Sequence, residues 1–95
     1  MGMKEEYEQK LQAQLNEWSA EIDKLKAKAD GAEADAQLEY YKKIEGLQAM
    51  QESVNNKLAE LKDAGDDAWV DLKAGIDNAR DSLGNALKSA ASRFK

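Results

Sequence analysis

Apolar residues recur at every third or fourth position from Tyr7 to Leu61, with no proline to interrupt them. This spacing restricts the chain more than any other feature. Tyr7, Leu11, Leu15, Trp18, Ile22, Leu25, Ala29, Ala32, Ala36, Tyr40, Ile44, Leu47, Gln51, Val54, Leu58 and Leu61 share one helical face, with Glu, Gln, Lys and Asp between them. Nothing alternates with period two, so strands have no support. The pairs Glu6/Lys10 and Glu39/Lys43 stand one helical turn apart and suit i,i+4 ion pairing. Gln51 places an amide on the stripe, either to fix register or to reach solvent at its edge. Tyr41 and Met50 widen the stripe beyond a strict seam.

The stretch Ala64-Gly65-Asp66-Asp67-Ala68-Trp69 is the clearest punctuation. Glycine follows helix ends because it tolerates a left-handed backbone, and aspartate caps free amides at a helix start. Gly65, Asp66 and Asp67 are therefore read as helix caps. Gly65→Ala is expected to cost stability if Gly65 has positive φ. Beyond them Ala68, Leu72, Ile76, Ala79, Leu83, Leu87, Ala90 and Phe94 step with an eleven-residue repeat, and Trp69 is the first large apolar residue. That period favours straight packing over a left-handed supercoil. Gly75 and Gly84 permit close helix approach but weaken the helix.

One corner stays open. Asp30-Gly31-Ala32-Glu33 fits a capping box, with Asp30 as N-cap and Glu33 reaching back. Yet the apolar stripe crosses it in phase, and one glycine in a helix costs only about 1 kcal/mol. The reading adopted is all-α: a long charged helix over 1–63 with a hinge at 30–31, a turn at 64–67, and a return helix over 68–95. These form an antiparallel coiled-coil hairpin, expected to oligomerise. The alternative is a compact three-helix bundle with helices near 4–29, 31–63 and 67–94.

Composition narrows function by exclusion. The chain of 95 residues has no Cys and no His, which removes disulfides, thiolate metal sites and the usual general base. No enzyme activity, catalytic residue, cofactor or metal site is expected. Asp63, Asp66 and Asp67 gather at the turn, but their spacing fails the EF-hand pattern and capping accounts for them. Residues 1–65 carry nine bases against fourteen acids, which accounts for the whole net charge of −5. After Asp81 only Lys88, Arg93 and Lys95 are charged; they suit the negative end of a helix dipole, or a weak dock for an anionic surface. An acidic chain without a basic stripe is not expected to bind nucleic acid. The start lacks the apolar run of a secretory signal, and a cytoplasmic location is expected.

Asp66-Asp67-Ala68-Trp69, Leu72-Lys73, Gly75 and the ending Ala90-Ala91-Ser92-Arg93-Phe94-Lys95 resemble small coiled-coil proteins of cyanobacteria and proteobacteria, some described as stress-associated. The resemblance runs from Met3-Lys4-Glu5-Glu6-Tyr7 onward, with its weight on the tail. It implies a helical interaction or stress role, and no catalytic residue or cofactor.

The expected function is contact between proteins, by self-association or with another protein, a homodimer being favoured. Its stripe is Tyr7, Leu11, Leu15, Trp18, Ile22, Leu25, Tyr40, Ile44, Leu47, Val54, Leu58, Leu61, Trp69, Leu72, Ile76, Leu83, Leu87 and Phe94. A return helix covers only half of a long helix, so the stripe on residues 7–32 would need a partner. The alternative is a peripheral membrane protein that lays Trp69, Leu72, Ile76, Leu83, Leu87 and Phe94 on a bilayer.

Overall fold

Helix α1 spans Met3–Asp30, α2 spans Ala34–Asp63 and α3 spans Trp69–Arg93. They are seen in a computed structural model that describes residues 2–65 and 67–94. Each helix starts with acids and ends with a base: Glu5 and Glu6 to Lys28, Asp35 to Lys62, Asp71 to Arg93. This arrangement complements the helix dipole in all three. The molecule measures 50 × 19 × 18 Å, which fits helices of 25 to 30 residues lying side by side.

The continuous helix expected across Gly31 does not form. The chain turns at residues 31–33, and the arrangement is a three-helix bundle. Burial explains why. Folding back lets Leu11, Leu15, Ile22, Leu25 and Ala29 of α1 join one core with Ile44, Leu47, Val54, Leu58 and Leu61 of α2. From α3 the same core takes Ile76, Leu83, Leu87, Ala90 and the following Phe94. A fully buried aliphatic side chain contributes about 1.5–3 kcal/mol. The few helical hydrogen bonds lost at a corner cost about 1 kcal/mol each, so the turn wins within a single chain.

Lys4 Nζ, at the start of α1, donates to the Ala64 carbonyl beyond the end of α2 at 2.6 Å. At the other end the Tyr40 and Phe94 rings stack with centroids 4.1 Å apart. Neighbouring helices in sequence are therefore antiparallel, and α1 runs parallel to α3.

Both corners differ from their expected chemistry. Asp30 closes α1 instead of capping α2, and Glu33 precedes α2 without a side-chain capping bond. Gly31 has φ −91° and ψ −1°, a right-handed conformation. Gly65 is not left-handed either, and a Cβ there would meet nothing within 4 Å. The condition for a costly Gly65→Ala is thus absent. The Gly65 carbonyl accepts the Ala68 and Trp69 amides at 3.1 and 3.3 Å, so a backbone turn leads into α3. Asp67 is exposed there and α3 begins without a side-chain cap. Asp66 lies outside the described residues.

Candidate functional site

Every large residue of the expected contact stripe is turned inward, whereas Met50, read as widening it, is exposed. Leu11, Leu15, Ile22, Leu25, Ile44, Leu47, Val54, Leu58, Leu61, Ile76, Leu83, Leu87 and Phe94 are buried, while Tyr7, Trp18, Tyr40, Trp69 and Leu72 pack half-buried against them. The stripe expected to need a partner is the core of one chain. The face expected alternatively to lie on lipid is in the same core, and it could reach a bilayer only if the bundle opened. Among the described residues no helix is long and apolar enough to cross a membrane. No group of acids among them is arranged to hold a metal ion.

The surface carries scattered exposed apolar side chains, Met3, Leu38 and Val70, and a groove of roughly 740 Å³ between α1 and α3. Gln14, Trp18 and Glu21 line it from α1; Arg80, Asp81, Gly84, Asn85 and Lys88 line it from α3. The spacing of each set puts it on one helical face. Gly84 shapes the floor: a Cβ at this position would stand 3.3 Å from Trp18 Cζ2, so the missing side chain lets the indole lie against α3. Gly75, expected to serve the same purpose, meets nothing within 4 Å. A second hollow of about 300 Å³ lies between α2 and α3, with Gly46, Met50, Ala86 and Ser89 on its walls.

A polar cluster ties α1 to α3. The Tyr7 hydroxyl donates to Asp77 Oδ1 at 2.6 Å, Lys73 Nζ donates to Asp77 Oδ2 at 3.2 Å, and Arg80 Nη2 stands 3.7 Å from Oδ1. Lys73 also lies 5.3 Å from the Tyr7 ring centroid, and Tyr7 lies 6.2 Å from Trp69. Burial pushes the Asp77 carboxyl upward, but the bonds from Tyr7 and Lys73 and the charges of Lys73 and Arg80 outweigh it, holding Asp77 below its usual value. Burial and then the bond to Asp77 raise the Tyr7 hydroxyl above its usual range. A carboxylate held ionised and a phenol held protonated are braced partners, poorly suited to moving protons near neutrality.

Linkage fixes the pH response of this pair. Asp77 is depressed on folding, so its contribution is present above the ordinary carboxylate value and lost as pH falls through the folded one. Tyr7 is raised, so its contribution is present below the ordinary phenol value and lost as pH rises. Tyr7→Phe should cost about 1 kcal/mol, a charged hydrogen bond discounted for partial exposure. At this chain length that is about 4–8 °C in Tm. The gap between parent and variant should be widest from about pH 5 to 9 and narrow on both sides. A gap that stays constant in thermal melts from acid to alkali would show that the hydroxyl does not act through Asp77.

Neither tie was legible in the sequence, because Tyr7 and Asp77 are distant and Lys4 meets the end of α2 only in three dimensions. Gln51 lies half-buried at the edge of the stripe, and its Nε2 donates to the Leu15 carbonyl of α1 at 3.4 Å. Among the described residues Glu6/Lys10 and Glu39/Lys43 do not close; the ion pairs are Lys4–Glu8, Lys73–Asp77 and Arg80–Asp77. Lys88 lines the groove and Arg93 ends α3, while Lys95 lies outside the described residues. No protein-family model, curated protein or solved structure matches this chain.

Proposed function

We propose that this chain is a non-enzymatic helical module that acts through protein–protein contact, chiefly by self-association. The open α1–α3 groove carries the reading. Trp18 lies half-exposed in it beside Arg80, and Trp and Arg are the residue types most enriched where binding energy concentrates. Its rim sets Glu21 and Asp81 beside Arg80 and Lys88, both signs within one patch. A two-fold contact needs such a patch, because each copy must offer what the other lacks. A stress-related role belongs to the same proposal, supported by the resemblance of the tail to small bacterial coiled-coil proteins, as does a cytoplasmic setting, supported by a start without the apolar run of a secretory signal.

The test uses Trp69→Phe as background, so that fluorescence reports Trp18 alone. With rising concentration, scattering mass should move toward a dimer and the Trp18 emission should shift to shorter wavelength. Lys88→Glu leaves the rim acidic and should suppress both changes. A mass that stays monomeric with constant emission at every concentration would overturn the reading.

A further inference from the structure

The corner between α1 and α2 is made of residues that favour the helix it interrupts. Ala29, Ala32, Glu33 and Ala34 are strong helix formers, and only Asp30 and Gly31 favour a break. The Gly31 amide still bonds the Ala27 carbonyl at 3.2 Å, as it would in a continuing helix. Glu33 has φ −65°, already helical, so its departure lies in ψ alone, at 153°. No described residue is left-handed. The apolar face also keeps its phase through the corner: Ala29 is buried, Ala32 and Ala36 are half-buried, and Tyr40 and Ile44 follow.

Little holds this corner bent besides the packing of the helices. The Tyr41 hydroxyl donates to the Asp30 carboxylate, and Gln37 Nε2 donates to the Asp30 carbonyl at 3.2 Å, both at the surface. The other corner is tied from a third element, because Lys4 of α1 binds the Ala64 carbonyl. Local preference and tertiary structure thus disagree at 31–33 and nowhere else so plainly.

From this juxtaposition we infer that two copies of the chain exchange α1 by straightening at residues 31–33. In the exchanged dimer α1 and α2 form one helix, and α1 of each copy packs on α2 and α3 of the other. The core of each bundle is rebuilt from the same side chains, so the two states differ at the corner and in the entropy of association. The helix over 3–63 would be about 90 Å long, against 50 Å for the whole bundle. The inference goes beyond self-association through the α1–α3 groove and stands on the corner alone.

Two variants push the corner in opposite directions. In Gly31→Ala with Tyr41→Phe, the break loses its glycine and its strap. The new Cβ would lie 3.8 Å from the Ala27 and Lys28 carbonyl oxygens, an ordinary contact, so the bundle tolerates it. Ala34→Pro does the reverse. Proline suits the first position of a helix, and Glu33 before it already has the extended ψ that proline imposes. The amides that bond the Glu33 carbonyl are those of Ala36 and Gln37, so none of these bonds is lost. Proline inside a continuous helix would break it.

Parent and variants are refolded at high protein concentration and measured by light scattering with small-angle X-ray scattering. The fraction of extended dimer, with a maximum dimension near ~90 Å, should rise several-fold in the Gly31→Ala, Tyr41→Phe chain and vanish in Ala34→Pro. Ala34→Pro should melt no lower than the parent, and Lys88→Glu should leave the extended dimer intact. An extended dimer that persists in Ala34→Pro, or the absence in every chain of a dimer longer than two bundles side by side, would overturn exchange while leaving the groove contact standing. An equal monomer content in all chains would overturn exchange as well.

Discussion

Ile22→Asp should all but unfold the monomer at neutral pH. Ile22 is 2% exposed in the second half of α1, inside the shared core. Removing its aliphatic volume costs about 2–5 kcal/mol by analogy with truncation to alanine. A carboxylate at this position has no partner, because the core holds no buried polar group among the described residues. It must either be buried charged or take up a proton, and either adds more than 1 kcal/mol at pH 7. Small domains are stable by only about 5–15 kcal/mol. A loss above about 4 kcal/mol corresponds to some 20 °C in Tm for a chain of this size.

The sign with pH separates this from simple loss of packing. The folded-state pKa of the introduced acid is raised, so the protonated form is the one the core accepts. The deficit of Ile22→Asp should therefore shrink as pH falls from neutral toward about 4, the ordinary value of a free aspartate, while that of Ile22→Ala stays constant. Melts of both variants across that range decide it. An Ile22→Asp chain with unchanged helicity and melting temperature would remove Ile22 from the core.

The stripe was legible because its cause is local: three-and-four spacing is a property of the helix, whichever surface it meets. Leu11 through Leu61 needed only a partner face, and the sequence could not say whether α3, α1 or another chain would provide it. The corner at 31–33 was legible only as the alternative, through Asp30-Gly31, for the same reason. Ala32 and Glu33 favour helix, and they turn because one core gains more from three short helices than from a long one. At the second corner the break was legible, but its chemistry was not. Gly65 contributes a carbonyl to the turn in place of a left-handed backbone, and Trp69, half-buried, replaces the exposed Ala68 on the inner face. The groove was least legible of all. Trp18 belongs to the stripe by spacing, and its half-exposure depends on Gly84, which lies on another helix.

The glycines within the helices give the second large effect, and they test that last point. Gly46 and Gly75 sit inside α2 and α3, are exposed, and have nothing within 4 Å of a would-be Cβ. Alanine there should gain about 0.8–1 kcal/mol each from helix propensity. The sites lie on different helices, so the gains should nearly add. The double variant Gly46→Ala, Gly75→Ala should then be more stable by about 1.5–2 kcal/mol, raising Tm by about 6–16 °C. Gly84→Ala has the same intrinsic gain but places its methyl 3.3 Å from Trp18 Cζ2, closer than ordinary contact. The indole must give way by a few tenths of an ångström, so the gain should be largely offset and the Trp18 emission should change. Thermal melts with Trp69→Phe as background compare all three. If Gly84→Ala stabilises as much as the other two and leaves the emission unchanged, the contact with Trp18 does not shape the groove; if it does not, the missing side chain is what seats the indole against α3.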